Sequence, residues 1–218
     1  MAKKAETDRK TRILDAAEQA FAEHGFEGAS LRQIVLDAKV NLATVYYYFE
    51  SKEGLMAAVI ARRFDPLRQA QIGLLEQYET EAQGQPLPLE KILDVMLVPL
   101  RQVGTNSAKS RAIRRLMGRI VTEPNPQFQD ILRPQHEKVR AAYLRALQRS
   151  LPDLPQADIQ WRIEFFWGAL AFILCNPRKI EKMSGGACNP ADTPTALAQM
   201  LTFFATGFRA PAVAPAAT

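Results

Sequence analysis

Residues 29–55, with the sequence ASLRQIVLDAKVNLATVYYYFESKEGL, decide how this chain folds. Ser30 precedes an apolar stripe at helical spacing and stands three residues before Gln33, which predicts a reciprocal cap on a first short helix. Asn41 is a favourable N-cap for a second helix over residues 42–49. The stretch therefore predicts a helix-turn-helix, followed directly by a third helix.

The second of these helices has an unusual surface, because short side chains at its start are followed by three tyrosines at 46–48. Only Val45 and Phe49 clearly need to be buried. Short residues let the start of a helix approach base edges, and phenol hydroxyls and free helix amides are suitable donors to phosphate oxygens. Lys52 falls in the first turn of the next helix, where the helix dipole does not favour a cation, and this indicates an external anion.

These residues carry a family resemblance. The segment VNLATVYYYFESKEGL over 40–55, preceded by ILDAAEQAFAEHGFEGASLRQI over 13–34, resembles the N-terminal domain of the TetR family of bacterial transcriptional regulators. Two positions depart from the family pattern. Lys39 stands where glycine is usual in the turn, at a cost on the order of 1 kcal/mol if the backbone there is left-handed. Tyr48 stands where histidine is frequent.

The resemblance implies which residues contact DNA. Arg32 and the short side chains of Leu42, Ala43 and Thr44 would read base edges, with Arg32 bidentate to a guanine and Ala43 or Thr44 against thymine methyl groups. The remaining residues would hold the sugar-phosphate backbone, and they are Ser30, Asn41, Tyr46, Tyr47, Tyr48 and Lys52.

The rest of the chain shows helical patterns separated by proline and glycine clusters, with no convincing alternating strand pattern. The predicted helices cover 8–24, a long stretch from Ser51 toward Tyr78 that is bent by Pro66, and then 89–103, 111–122, 127–151, 157–176 and 195–209. About nine helices agree with the all-α architecture that the resemblance implies. It consists of a helix-turn-helix DNA-binding domain over 1–52 and a helical ligand-binding and dimerisation domain over 53–209. Residues 210–218, mostly Ala and Pro, are predicted to be disordered.

The net charge of +5 is unevenly distributed. Residues 1–68 carry a net charge of only +1, so DNA binding must rest on the placement of charges, whereas residues 101–149 carry +8. Solvated helix faces explain the second region best, and an anionic effector or an electrostatic contribution toward DNA is left open. The apolar run at 165–177 is shorter than the about 20 residues of a membrane span, and the N-terminus lacks a signal-peptide core. We therefore expect a cytoplasmic protein without membrane contact, in which Cys175 and Cys188 are reduced thiols.

The helix predicted at 157–176 has two apolar stripes, one through Ile159, Ile163 and Phe166 and another through Trp161 and Phe165. One stripe suffices for a core, so the second predicts contact with another subunit, with a fully buried central helix as the alternative. The resemblance implies that the last two helices form a homodimer that presents two reading helices about 34–36 Å apart. The expected interface residues are Trp161, Phe165, Phe172, Leu197, Leu201 and Phe204.

A sensor pocket within the helical domain would draw on apolar side chains and one arginine, although residues at such spacing fit an ordinary core equally well. The candidates are Met96, Leu100, Arg114, Met117, Ile120, Phe128, Tyr143 and Trp167. Their composition favours an apolar effector, and the C-terminal segment loosely resembles family members that sense fatty acids or their thioesters. Arginines around Arg114 would pair with an anionic head group of the effector.

Two other classes of protein are alternatives to a DNA-binding regulator. A helical ligand carrier would explain the C-terminal domain but leaves the exposed tyrosines and Lys52 without a role. An enzyme is the poorest fit, because no histidine stands near a serine or cysteine motif and there is neither a cluster of metal ligands nor a phosphate loop. Carboxylates such as Glu164 and Glu181 fit helix-surface ion pairs better than catalysis. We expect no cofactor and no metal.

Overall fold

The computed structural model describes residues 2–103, 107–122 and 126–213, apart from the side chains of 2–5, 127, 128, 131, 132, 134 and 135. Within these ranges the chain forms ten helices and no strand, which confirms the predicted all-α fold. The helices are α1 (Ala2–Gly28), α2 (Leu31–Ala38), α3 (Leu42–Phe49), α4 (Lys52–Glu81), α5 (Leu89–Val103), α6 (Ala108–Thr122), α7 (Pro126–Ser150), α8 (Gln156–Cys175), α9 (Pro177–Met183) and α10 (Thr193–Arg209).

The structure adds one helix to the about nine predicted from the sequence. This is α9, a helix of 7 residues that begins with Pro177 in its first turn and has no buried residue. Such a helix carries no apolar stripe, which is the signal that periodicity depends on. The first helix is also longer than predicted, because α1 begins at Ala2, and Gly25 interrupts it with φ 74° before a final turn ends at Gly28.

The helices form two compact units. Unit 1 contains residues 1–66 and 106–134, and unit 2 contains residues 67–105 and 135–218. Helices α4 and α7 belong to both units, and in each of them the division falls directly after a proline, Pro66 or Pro134. The domain boundary predicted at residue 52 stays a prediction, and α6 is grouped with the N-terminal helices in unit 1.

Unit 1 is built on fully buried side chains of α1 to α4, among them Phe21, Ile34 and Val45. One buried carboxylate lies among them, because Glu18 of α1 is almost fully enclosed. Its Oε2 accepts a hydrogen bond of 2.9 Å from Nη2 of Arg62 and another from Nε of Arg63. These two cations of α4 compensate a charge that would be costly to bury alone.

Unit 2 contains a buried amide that repairs a break in a helix. Pro99 lies inside α5 and lacks the N–H group that would bond to the carbonyl of Val95. The side chain of Gln71 on α4 replaces this donor, since its Nε2 lies 3.2 Å from the Val95 oxygen and 3.3 Å from the Met96 oxygen. The proline is therefore accommodated without an unpaired buried carbonyl.

The chain beyond α10 is anchored to α8. The guanidinium of Arg162 donates to the carbonyl oxygens of Phe208, Ala210 and Pro211 at 2.8 to 2.9 Å. The backbone N–H of Val213 donates to Asp158 at 2.9 Å. Three residues of the tail predicted to be disordered, Ala210, Pro211 and Val213, are thus hydrogen bonded. Residues 214–218 lie outside the described part of the chain.

Candidate nucleic-acid interface

The turn between α2 and α3 has a left-handed residue at Lys39, with φ 54° and ψ 50°. The N–H of Lys39 bonds to the carbonyl of Leu36 at 3.1 Å, and the N–H of Val40 bonds to that of Val35 at 3.0 Å. This pair of bonds is the Schellman motif, which usually places glycine at the left-handed position. Lys39 therefore carries the backbone cost expected from the sequence, on the order of 1 kcal/mol.

The two helix caps predicted here have different outcomes. Asn41 caps α3, since its Oδ1 accepts hydrogen bonds from the Thr44 N–H at 2.9 Å and the Thr44 hydroxyl at 2.7 Å. The reciprocal cap between Ser30 and Gln33 is wrong, because the Ser30 side chain makes no cap bond. The Gln33 amide instead donates to Asp37 at 2.8 Å, one turn ahead on the same helix.

The predicted DNA-contacting residues lie on α2, α3 and the start of α4, all within unit 1. On α3 they share a surface by helical spacing, while Val45 and Phe49 are buried beneath it. Tyr47 is the most prominent, with 77% of its surface exposed. Seven of the ten are exposed, namely Ser30, Arg32, Asn41, Leu42, Ala43, Tyr46 and Tyr47, whereas Thr44, Tyr48 and Lys52 are half-buried.

Lys52 has partners within the protein. Its ammonium donates to the carbonyl of Glu27 at 3.2 Å and lies 4.9 Å from the centroid of the Phe26 ring. These contacts explain how a lysine is tolerated at the start of α4. They hold the ammonium in a fixed place while its other hydrogens are available to an anion.

The junction between α3 and α4 is tight. Glu50 has φ 65° and ψ −41°, and the N–H of Ser51 bonds to the carbonyl of Phe49 at 2.7 Å, the geometry of a strained γ-turn. The Ser51 hydroxyl then accepts from the Gly54 N–H at 3.0 Å and caps α4. Hydrogen bonds from its own backbone N–H and from Ser51 hold the pKa of Glu53 below its usual value. No sequence signal predicted the strained Glu50.

A contact that the sequence did not predict joins α6 to the end of α1. The Arg119 guanidinium donates to the carbonyl of Ala22 at 3.1 Å and to that of Glu23 at 2.8 Å. A side chain at Gly25 would place its Cβ only 2.9 Å from the Arg119 Nη1, at a backbone conformation that L-residues rarely adopt. Gly25 lies in the stretch 13–34 that carries the family resemblance, but its partner Arg119 is 94 residues away in the sequence.

The residues predicted to form a sensor pocket are divided between the two units. Arg114, Met117 and Ile120 belong to unit 1, and burial lowers the pKa of Arg114. Met96, Leu100, Tyr143 and Trp167 belong to unit 2, where the first three are buried. The side chain of Phe128 lies outside the described residues. A surface hollow of about 560 Å³ near the start of α8 includes none of these residues, and Leu144, Arg145 and Gln148 contribute to its lining.

The second apolar stripe of α8 is exposed in the single chain. Trp161 and Phe165 are 64% and 60% exposed, and their rings stack with centroids 5.8 Å apart. Phe172 is also exposed, and the structure adds Phe203 of α10. The alternative of a fully buried central helix is therefore wrong for one chain. Of the other residues predicted at the interface, Leu197 and Phe204 are buried within the protomer and Leu201 is half-buried.

The described part of the chain lacks two features of other protein classes, a cluster of metal ligands and a membrane-spanning helix. It contains no group of three or more side chains suited to hold a metal ion. No helix in this part combines the length and apolar character that a membrane crossing requires. Glu164 forms an ion pair with Arg140, as expected for a helix-surface carboxylate.

Comparison with known proteins decides the family. Residues 13–59 match the profile described as bacterial regulatory proteins, tetR family, and residues 95–207 match the tetracyclin repressor-like C-terminal domain. The chain belongs to the TetR family. Members of this family are DNA-binding transcriptional regulators and are generally not enzymes, which disfavours the alternative of a carrier without a DNA-binding role.

Individual relatives match over limited lengths. The transcriptional regulator UidR of Escherichia coli K12 is 43% identical over 51 residues, which is 23% of this chain and 26% of UidR. The transcriptional repressor KstR of Rhodococcus jostii is 27% identical over 136 residues, covering 56% of this chain and 64% of KstR. The chain thus aligns with less than two thirds of either relative.

Solved structures agree over nearly the whole chain. HlyIIR, a hemolysin II transcriptional regulator, superposes with a TM-score of 0.53 at 19% identity, covering 91% of this chain and 97% of HlyIIR. FadR of Bacillus halodurans, a fatty acid degradation regulator, superposes with a TM-score of 0.51 at 16% identity, covering 91% of this chain and 99% of FadR. At such identities the likeness establishes the shared fold.

Proposed function

We propose that the protein is a ligand-released repressor that binds a palindromic operator as a homodimer. The observation that carries this proposal is the exposed polar and aromatic surface of α3, which rests on the buried side chains of Val45 and Phe49. A firmly packed helix with short residues at its start and phenols further along is suited to enter a major groove.

The hydrogen bonds of α3 refine the expected contacts. The Thr44 hydroxyl is engaged by Asn41, so the methyl group of Thr44 is the part available to a thymine methyl. The Oδ1 of Asn41 is likewise engaged in the cap, and its amide N–H groups are available to a phosphate. Arg32 is exposed at the start of α2 and is assigned to a guanine.

Operator binding is tested by gel shift with promoter fragments from the neighbouring genes. We expect Tyr47→Ala to weaken binding strongly, and Lys52→Ala to weaken binding to every sequence and lower the salt slope by about one unit. Arg32→Ala should relax the preference at one base pair. The control is Tyr78→Ala, a tyrosine of α4 outside the reading surface. Equal operator affinity for wild type and Tyr47→Ala would refute the placement.

Dimerisation is assigned to the exposed aromatic face, defined as Trp161, Phe165, Phe172 and Phe203. Phe165→Arg should give folded monomers in sedimentation velocity, because an unpaired charge in an apolar interface costs several kcal/mol. Leu36→Arg is the matched control, since Leu36 is equally exposed but lies on α2. Phe204→Arg tests folding instead, because Phe204 belongs to the protomer core. An intact dimer in the Phe165 variant contradicts the assignment.

The effector is proposed to be an elongated apolar or acyl molecule. The apolar character of unit 2 supports this class, and FadR offers a protein of the same fold whose name refers to fatty acid degradation. Burial of about seven methylene groups only in the released state would supply the roughly 5.5 kcal/mol needed to move a dimer from mostly bound to mostly free.

The test is a titration with acyl chains of increasing length, following operator affinity and thermal stability together. We expect stability to rise and operator affinity to fall as the chain lengthens. Release by a compact cationic or aromatic compound, with no response to any acyl chain, would reject this effector class and leave the repressor assignment intact.

A further inference from the structure

Tyr143 of α7 has a buried hydroxyl group without a partner. The residue is 2% exposed and lies in unit 2 on the same helical stripe as the buried Ala146 and Leu147. Its hydroxyl oxygen is shielded from solvent and has no hydrogen-bond partner anywhere in the described structure. A phenylalanine would present the same ring to this stripe without burying a polar atom.

Several other buried polar groups in the described chain have partners, and the two unbonded Nε atoms of Arg12 and Arg62 belong to guanidinium groups that form ion pairs. The Gln71 amide in the same unit donates to the carbonyls of Val95 and Met96, and the Glu18 carboxylate in unit 1 accepts from two arginines. Proteins pair nearly all buried hydroxyls, because an unpaired one forfeits its hydrogen bonds to water on folding. The Tyr143 hydroxyl therefore points to a partner other than the described residues of this chain.

The chemistry of that partner follows from the state of the phenol. Burial raises the pKa of Tyr143 above its usual value, so the group is a neutral O–H donor throughout the physiological range. As a donor it pairs with a molecule that carries an acceptor oxygen. The phenol oxygen can also accept, but a cationic donor would bury a charge at this position, which is costly. A charged acceptor would itself need compensation at so buried a position, so a neutral carbonyl oxygen is favoured over a carboxylate.

We propose that Tyr143 is the polar anchor of an effector site in unit 2, where its hydroxyl donates a hydrogen bond to the neutral carbonyl oxygen of an otherwise apolar molecule. Esters, thioesters and ketones all supply such a carbonyl, because these groups share the same acceptor oxygen. This inference rests on the proposed function and specifies the polar group of its effector.

The first measurement compares wild type with Tyr143→Phe in the absence of any added molecule. Because the substitution removes a hydroxyl that has no partner, we expect an unchanged or higher midpoint of denaturant unfolding. A clearly lower midpoint would show that the hydroxyl is already paired in the unliganded protein, by bound water or by the protein itself. That result overturns the proposal.

The second measurement uses 2-decanone, which carries one ketone oxygen on a chain with about seven methylene groups, the length proposed to drive release. Its Kd is measured by tryptophan fluorescence with wild type, Tyr143→Phe and the control Tyr78→Phe, whose ring packs against Lys91 in the same unit. We expect wild type and Tyr78→Phe to bind equally, and Tyr143→Phe to bind about fivefold to tenfold more weakly. Equal binding by all three proteins, or no binding to wild type, overturns the proposal.

The outcome is kept separate from that of the proposed function by a gel shift with the same proteins. Tyr143→Phe should retain operator affinity in the absence of 2-decanone, because the substitution lies in unit 2. If wild type binds its operator and 2-decanone fails to bind, the anchor is wrong while the regulator stands. If wild type binds no operator, the proposed repressor function itself fails.

Discussion

At the scale of the residue, Lys39 shows how a side chain with a usable charge can occupy an unfavourable backbone position. Its left-handed conformation costs about 1 to 2 kcal/mol relative to glycine, while glycine loses about 0.5 to 1 kcal/mol of chain entropy on folding. We therefore predict that Lys39→Gly raises the free energy of unfolding by about 0.5 to 1 kcal/mol, measured by urea denaturation. The gain would coincide with weaker operator binding at low salt, because a cation beside the reading helix is lost.

Lys39→Asn separates the two effects. Asparagine tolerates left-handed backbone and also removes the charge, so its stability should lie between wild type and Lys39→Gly while its operator affinity matches that of the glycine variant. If Lys39→Ala proves as stable as Lys39→Gly, backbone strain at this turn is not the explanation.

At the scale of the element, Arg119 supplies two hydrogen bonds between α6 and the end of α1. Arg119 satisfies two carbonyls at a helix end where a cation is also favoured by the dipole. We predict that Arg119→Met lowers the free energy of unfolding by about 1 to 2 kcal/mol, because partly buried hydrogen bonds from a charged donor are lost. The matched control, Arg115→Met, changes an exposed arginine of the same helix and should stay within about 0.5 kcal/mol of wild type. Equal stability of the two variants would contradict this role.

Local patterns and long-range contacts were not equally predictable from the sequence. The Asn41 cap and the extent of α3 follow from residues within one or two turns, so the sequence predicted them. The Ser30 cap failed because Gln33 had a competing partner at Asp37, and both arrangements satisfy the same local spacing. The contact of Arg119 was not predicted, since nothing near this residue in the sequence identifies carbonyls of α1 as its partners.

The interface residues of α10 show a related limit. The apolar spacing identified a stripe through Leu197 and Phe204, and the structure places both residues in the protomer core. Phe203 is the exposed aromatic residue of this helix, with 73% of its surface accessible. Periodicity finds the apolar face of a helix, but which of two adjacent aromatic residues faces inward depends on how α5 and α8 pack against it.

At the scale of the whole molecule, each unit contains a carboxylate whose pKa is held below its usual value of 4.5. Glu53 in unit 1 accepts from its own backbone N–H and from Ser51, and Glu90 in unit 2 accepts from its backbone N–H and from Arg209. A carboxylate whose pKa is lower in the folded than in the unfolded protein stabilises the folded state at any pH above the unfolded pKa. This contribution is lost as the pH falls through the folded pKa.

We therefore predict that the double variant Glu53→Gln and Glu90→Gln loses less stability than wild type when pH is lowered from about 5 toward 3. The measurement is the urea midpoint as a function of pH. Both groups are largely solvated, so the difference should be small and should shrink further in high salt. If the urea midpoint of the double variant falls as steeply with decreasing pH as that of wild type, other carboxylates govern acid unfolding.

The helix α4 belongs to both units, and Pro66 marks the place where they divide. Proline cannot donate to the carbonyl of Arg62, so α4 lacks one of its regular hydrogen bonds at this point. A helix bends more readily where such a bond is missing. If the released state of the repressor requires a change of α4 here, the missing bond lowers the free energy of that change.

We predict that Pro66→Ala restores the bond and weakens the response to an effector. The regained hydrogen bond, worth about 1 kcal/mol, would have to be strained when the repressor is released. We therefore expect the operator Kd with a releasing acyl chain, divided by the Kd without it, to be about fivefold smaller than in wild type. Pro99→Ala is the control, because Pro99 also interrupts a helix but lies wholly within unit 2, where Gln71 already satisfies the carbonyl. An equal ratio in wild type and Pro66→Ala, with operator affinity intact in both, would mean that the effector acts without bending α4 at this residue.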